Sequence, residues 1–313
     1  MFKRMIGMHD FEYVGTLEVL RNITRNRGNN AIVAMSGVMR GAVGGGQVTA
    51  LEKHSLKDNF SLGVGISTGA PIVAYFLSGQ AEQGTGIYYQ DLPANDFISI
   101  SRAISHKKIR DIVDLQLLES LFRGTKGQKA LDLDKFRKAR ADFYAVVTNM
   151  ETEEAKCINA KQMHDPVKGI MMSCAMPGIT NASYYYDGSW YGDGAMSCML
   201  PHLSFFEKNG VDNILILANR PNIFEKDIKN SFFDHATTYW LKKKNLPGFG
   251  AKYHKAYVTM FERIRYLLES DINILILFHP ENLLSTYSMN SDDIKKAALL
   301  AEEHLDSLIK AVL

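Results

Sequence analysis

Hydrophobic positions in this chain gather into short dense runs separated by longer stretches of helical period. Ala31 to Met35, Ser61 to Ile66, Asp142 to Thr148, Asn213 to Ala218 and Asn273 to Phe278 read as strands, several of them too apolar to have a solvent face. Between them the pattern predicts helices to about Lys53, over Ala70 to Leu77, Phe97 to His106, Asp111 to Phe122, Asp227 to Lys243 and Ala251 to Ser270. Asp165-Pro166 is a helix start, with a capping carboxylate and proline in the first turn, and that helix should stop before Pro177. Asn290 opens a final amphipathic helix. Asp142 to Thr148 and Glu154 to Ile158 resemble a hairpin, and Arg123 to Lys129 a surface loop. Residues 1–30 read as a lead-in arm with one helix around Gly15 to Ile23, ahead of a domain over 31–313. Strands alternating with helices make this an α/β chain with a mostly parallel sheet.

Composition narrows the function classes. The 313 residues are 46% hydrophobic and 22% charged, ordinary for a globular chain. Net charge is +2, from 36 Lys and Arg against 34 Asp and Glu, so there is no electrostatic case for nucleic acid. Lys242-Lys243-Lys244 fits a solvated helix end; beside the apolar and aromatic run Ser231 to Leu241 it also fits a contact for anionic lipid headgroups. Cys157, Cys174 and Cys198 form neither a disulfide framework nor a zinc pattern, and no metal or other cofactor is expected. They suit a reducing compartment. The N-terminus meets charge too soon for a cleavable signal peptide, and no run approaches about 18 apolar residues, so the expectation is a cytoplasmic protein, peripheral to membranes at most.

Chemistry concentrates in three stretches. Gly65-Ile66-Ser67-Thr68-Gly69 fits G-x-S-x-G between a strand and a helix, where glycines two before and two after the serine let the elements approach and leave the hydroxyl exposed at a helix N-terminus. Alone that pattern is weak. Ser36 to Gly46 is a glycine-rich turn after a strand, whose N–H groups suit an anion. Gln47 stands where a P-loop needs lysine, and a dinucleotide fingerprint over Gly63, Gly65 and Gly69 puts a serine at the exposed turn position. An oxyanion hole uses both loops together. The third stretch, Tyr184 to Ala195, holds two Asp-Gly pairs, at Asp187 and Asp193, which read either as turn chemistry or as a carboxylate presented to a distant partner.

Together, Ser36-Gly37-Val38-Met39-Arg40-Gly41, the serine motif, and Asp193-Gly194-Ala195 with Pro201 eight residues on resemble the patatin-like phospholipase family. The likeness is closest to its compact bacterial single-domain members, and it extends to Asn219-Arg220-Pro221 and His279-Pro280-Glu281. The resemblance implies a three-layer α/β/α fold and hydrolysis of acyl esters of lipids by a Ser-Asp dyad without histidine. It casts Ser67 as nucleophile, Asp193 as base, Gly65 and Gly69 as the elbow glycines, the backbone of Gly37, Val38 and Met39 as the oxyanion hole, and Arg40 as the basic residue after it. Asp187 stands fourteen residues before Pro201, which favours Asp193. The family usually opens its anion loop with three glycines. Here only Gly37 is kept, and Val38 is costly if its position needs a positive φ.

Two rival readings remain at this stage. A Ser-His-Asp esterase would draw its histidine from His235, His254, His279 or His304, of which His279, at a strand end, is the best placed. A catalytically weak or inactive relative would bind lipid or a partner through the same cleft.

Overall fold

The computed structural model describes residues 4–107, 111–222 and 248–313. The Lys242 to Lys244 run, the Ser231 to Leu241 run, the helix expected over Asp227 to Lys243, and His235 lie outside these residues.

Ten strands form one sheet: β1 Arg4–Ile6, β2 Glu12–Gly15, β3 Asn30–Ala34, β4 Leu62–Ile66, β5 Asp142–Asn149, β6 Ala155–Asn159, β7 Tyr184–Tyr186, β8 Ser189–Asp193, β9 Asn213–Leu217 and β10 Asn273–Phe278. The helices used below are α1 Glu18–Thr24, α2 Gly41–Lys53, α3 Gly69–Leu77, α4 Ala81–Gly86, α5 Ile100–Ser105, α6 Leu115–Phe122, α7 Leu133–Lys138, α8 Pro166–Cys174, α9 Leu203–Lys208, α10 Gly248–Leu268 and α11 Ser291–Val312. Strand order is β1-β2-β10-β9-β3-β4-β5-β8-β7, with β6 also on β5. The five central strands, β10 to β5, run parallel, and antiparallel strands finish both sides.

The repeated Ile-Leu-Ile-Leu of β9 and β10 explains the layering. Successive side chains on a strand point to opposite faces. Ile214, Ile216, Ile274 and Ile276 join one core with Phe206 of α9 and Met260, Ile264 and Leu267 of α10. Leu215, Leu217, Leu275 and Leu277 join the other with α1, α2, α3, α8 and α11. Both faces are covered, so the strands carry no polar alternation. The result is the expected three-layer α/β/α arrangement around a mostly parallel sheet.

Two departures from the sequence reading have physical causes. From residue 4 the N-terminal segment belongs to the sheet: β2 pairs with β10, Val14 opposite Ile276, and β1 adds outside it. Strands of three and four residues carry too little alternation to be read alone. Gly44, Gly45 and Gly46 are in α2, so the glycine-rich turn is shorter than expected. A Cβ on Gly46 would lie 2.0 Å from the Ala298 carbonyl oxygen, so its glycine lets α2 and α11 cross with their backbones nearly touching.

Candidate active site

The sheet register assembles the site. Ile66, the last residue of β4, pairs with Val146 of β5, and Asp193, the last residue of β8, pairs with Val147. Because β6 holds the opposite edge of β5 through Thr148, β8 takes over the edge of β5 where β4 stops. Ser67 and Asp193 are therefore neighbours, although far apart in the chain.

Ser67 leaves β4 with φ +54°, a left-handed conformation that a non-glycine residue adopts only when its surroundings hold it there. They do so on every side. The Ser67 N–H donates to Ser173 Oγ at 3.0 Å, the Ser173 hydroxyl donates to the Val146 carbonyl at 2.6 Å, and Cys174 Sγ donates to the Ser67 carbonyl at 3.1 Å. A Cβ at Gly65 would sit 2.3 Å from Ala70 Cα, and one at Gly69 would sit 1.9 Å from the Ala34 carbonyl oxygen. Gly65 thus lets β4 and α3 approach as its spacing predicts, while Gly69 lets the start of α3 approach the end of β3 instead.

Asp193 is 1% exposed, and the Ser67 side chain lies beside its carboxylate. Its Oδ1 also accepts the Ala195 N–H at 2.8 Å, and Thr148 Oγ1 donates to its backbone carbonyl at 2.8 Å. Burial pushes its pKa up to about 7, against the opposing pull of Ser67 and of the Ala195 N–H. Asp187 instead makes the β7–β8 turn with Gly188, at φ +45° and +80°. The turn reading of the two Asp-Gly pairs thus falls to Asp187.

The loop after β3 lies against this pair. Gly37 has φ 177° and ψ 1°, Val38 has φ +51°, and Val38–Arg40 form one turn of 3-10 helix leading into α2. The Met39 N–H donates to the Thr286 carbonyl at 3.1 Å and the Arg40 N–H to the Gly37 carbonyl at 3.0 Å. Of the four residues singled out in this loop, Gly37 and Val38 have backbone N–H groups with no acceptor among the described residues. Arg40 Nε donates to the Leu284 carbonyl at 3.0 Å, and burial followed by the nearby Arg220 guanidinium lowers its pKa.

Of the four candidate histidines, the two whose rings are described, His279 and His304, do not partner Asp193. His304 is buried against Phe11, with ring centroids 4.8 Å apart. His279 is buried beside Arg40 and Arg220. His254 lies in α10, with its side chain outside the described residues. Among the described residues no cluster of three metal-ligating side chains occurs, and no helix is long and apolar enough to cross a membrane.

The model of the patatin-like phospholipase family matches residues 33–206, more than half of the chain. The chain belongs to that family. Membership places it among lipid acyl hydrolases in general. No curated protein matches it. Among solved structures, VipD from Legionella pneumophila is 11% identical with a TM-score of 0.51, over 99% of this chain and 70% of that one. The type III effector ExoU is 12% identical with a TM-score of 0.41, over 96% of this chain and 55% of that one. Full-length ExoU in complex with SpcU, from the type III secretion system of Pseudomonas aeruginosa, is 13% identical with a TM-score of 0.29, over 88% and 60%. The VipD likeness shows a shared fold.

Thr68, Tyr88 and Asn219, to which the sequence assigns no role, stand around this patatin-like site. Thr68 Oγ1 donates to the Val38 carbonyl at 3.0 Å, and with its proton so engaged it accepts from Tyr88 Oη at 2.5 Å. Tyr88 is buried on the π-helical turn Ile87–Asp91 between α4 and the next helical turn, an irregularity often found at functional sites. Thr68 and Tyr88 thus fasten the strained Val38 to the strained serine turn. Asn219, at φ +53°, donates from Nδ2 to the Met35 carbonyl at 2.6 Å and braces the same loop from β9. Strain at Ser67, Val38 and Asn219 together is a signal of function that only backbone angles reveal.

Proposed function

We propose that the chain hydrolyses carboxylic esters of lipids, of phospholipase A or lysophospholipase type, through a Ser67–Asp193 dyad and a covalent acyl-enzyme. The observation that carries this reading is a serine held at φ +54° on a strand-to-helix turn, beside a buried carboxylate whose pKa is about 7. A carboxylate near its ordinary pKa is a weak base for a hydroxyl; one raised towards neutrality is better matched to the task. Asp193 takes the Ser67 proton as Oγ attacks the ester carbonyl. The N–H groups of Gly37 and Val38 meet the developing oxyanion, each worth about 3–4 kcal/mol in comparable sites. Collapse expels the alcohol, which regains the proton from Asp193, and water then attacks the acyl-enzyme with Asp193 again as base.

Val38 bears on the alternative of an inactive binding protein. Its φ of +51° supports a loop that keeps the form the chemistry needs despite the valine. The reading is tested by p-nitrophenol release from medium-chain acyl esters by wild type, Ser67→Ala and Asp193→Asn, with thermal melts as folding controls. Both variants are expected to fall by at least about a thousandfold. Turnover retained by Asp193→Asn and abolished by a histidine substitution would instead indicate a Ser-His-Asp enzyme, and no turnover by wild type on esters, micelles or vesicles would favour a binding protein.

A further inference from the structure

The β7–β8 hairpin reaches past the end of the sheet on the side where Ser67 stands. β8 is antiparallel to β5, with Asp193 opposite Val147 and Tyr191 opposite Asn149, the last residue of β5. Going back along β8 from Asp193 therefore leads beyond the carboxyl end of β5. The Asp187–Gly188 turn stands farthest out, about 20 Å from Asp193 at roughly 3.3 Å per residue. Tyr184 and Tyr191 form the inward cross-strand pair, 8% and 3% exposed. Tyr185 and Trp190, the next pair, take the other face at 52% and 47% exposed, with ring centroids 5.3 Å apart in an edge-to-face contact.

A second apolar projection is tied to the same rim. Ile100 and Ile104, at i and i+4 on α5, share one helix face and are 54% and 71% exposed. Ile98, just before α5, bridges Val113, which in turn bridges Thr180 and donates its N–H to the Ile179 carbonyl at 2.8 Å. The segment that carries Ile179 and Thr180 leaves α8, whose Cys174 holds the Ser67 turn, and runs into β7. Helix face and hairpin are thus mounted on one strip of chain beside the serine. Single exposed apolar side chains are ordinary, but four of this size on two elements joined at the site mark an interaction surface. The charges around them have both signs. Ser189 Oγ donates to Glu151 Oε2 at 3.4 Å, Asp187 is exposed at the turn, and Lys156 Nζ donates to Tyr191 Oη at 3.1 Å. On α5 the Arg102 guanidinium donates to the carbonyls of Asp96, Phe97, Asp111 and Ile112, and Lys107 follows the helix exposed.

We infer that this rim docks on a zwitterionic phospholipid surface, with the Tyr185–Trp190 pair of the hairpin and the Ile100–Ile104 face of α5 entering the headgroup layer. The inference rests on the acyl-hydrolase reading above and extends it from the ester to the aggregate in which lipid esters occur. Tryptophan and tyrosine suit that depth, because each joins an apolar ring to a polar handle. The isoleucines add buried apolar area, which strengthens adhesion. Two narrow projections fit a soft layer that closes around them, whereas a protein partner needs a continuous, closely packed patch. Mixed charge matches headgroups that carry both signs, so apolar insertion rather than net attraction holds the protein, and salt has little effect on it. Docked in this way, the protein presents the carboxyl end of β4 to the bilayer, and lipid reaches Ser67 from the layer itself.

Binding is measured by co-flotation of full-length Ser67→Ala protein, which reports adhesion without turnover, with phosphatidylcholine vesicles. The protein is expected to float with the vesicles at low and at high salt. Tyr185→Ser with Trp190→Ser, and separately Ile100→Ser with Ile104→Ser, should each weaken binding by about tenfold or more. Leu299→Ser, at an exposed apolar position of α11, should leave it unchanged. The chain has two tryptophans, so in a Trp240→Phe background Trp190 emission should move to shorter wavelength on vesicles and be quenched by lipids brominated high on the acyl chain. Melts check that each variant is folded. With Ser67 restored, the rim variants should keep hydrolysis of a dissolved short-chain p-nitrophenyl ester and lose hydrolysis of vesicle phospholipid. No flotation of the folded parent, an equal loss in Leu299→Ser, unchanged Trp190 emission, or binding abolished by salt would overturn the inference. So would self-association in sedimentation that the rim substitutions remove, which would give the face to a second copy. Flotation without ester hydrolysis by wild type would support the docking face and count against the dyad alone.

Discussion

Replacing Asp193 with asparagine separates what its charge does for chemistry from what that charge does to stability. Asparagine keeps the shape and an acceptor for the Ala195 N–H, which now reaches Oδ1 at 2.8 Å. The carboxyl has an ordinary value of 3.8 and a folded value of about 7. The folded protein therefore holds this proton more tightly than the unfolded chain, and binds more protons than it between about pH 4 and 7. Stability must fall as pH rises through that window, and the deficit is complete above it. Three pKa units correspond to about 4 kcal/mol at pH 8, against about 1.5 kcal/mol at pH 5. The asparagine variant escapes this deficit. Its stability relative to wild type should grow by about 2.5 kcal/mol between pH 5 and pH 8. With about 2.1 cal/mol/K of unfolding entropy per residue over 313 residues, that is about 4 °C in melting temperature. The assay is a melt of both proteins at the two pH values, run beside ester hydrolysis at pH 8. An inactive variant whose melting advantage widens by this amount supports a buried, charge-bearing base. A gap that is constant with pH, or that closes as pH rises, would refute the reasoning.

The same carboxyl sets the rate profile: kcat/KM of wild type should rise with unit slope to a plateau above about pH 8, and lie about tenfold lower at pH 6 and a hundredfold lower at pH 5. A flat profile over pH 5 to 8, measured with a non-ionising ester, would remove Asp193 as the base. Val38→Gly relieves strain of about 1–3 kcal/mol and gives back about 0.5–1 kcal/mol through the freer unfolded chain, so the melting temperature should rise by about 1–3 °C; a decrease would show that φ +51° costs the native state little. Tyr88→Phe removes the donor to Thr68 Oγ1 and should cost about 1–2 kcal/mol of stability while lowering kcat more than it changes KM. In a Val38→Gly background its effect on kcat should shrink, because glycine holds the positive φ without being fastened; an undiminished effect would argue against that coupling.

Legibility from sequence followed the range of the interactions. The Ile-Leu-Ile-Leu strands declared their two-sided burial because period 2 and apolarity are local properties. Gly65 could be read for the same reason, since β4 and α3 that it allows together are consecutive in the chain, whereas the contact that requires Gly69 is with Ala34 of β3. Gly46 was misplaced because its low helix propensity is local, whereas the Ala298 backbone that makes glycine necessary belongs to the last helix. Ser173, Tyr88, Asn219 and Arg220 have no role that the sequence assigns, although Asn219-Arg220-Pro221 is within the family resemblance. Each gains its role from a partner on another element, at Ser67, Thr68, Met35 and Tyr257 respectively. Asp193 stood out from Asp187 only through its spacing to Pro201, and the backbone angles of Asp187 and Gly188 supply the physical half of that distinction.

The hand-over along β5, where β8 takes the edge that β4 gives up, has a consequence for how the protein tolerates change. Serine and carboxylate are set by two successive residues of one central strand, so their separation is as stiff as a β-ladder. Chain length elsewhere between them is free to vary. A loop such as Arg123 to Lys129, which belongs to neither strand, is thus a place to insert a tag, a reporter or an additional module and still keep the pair in register.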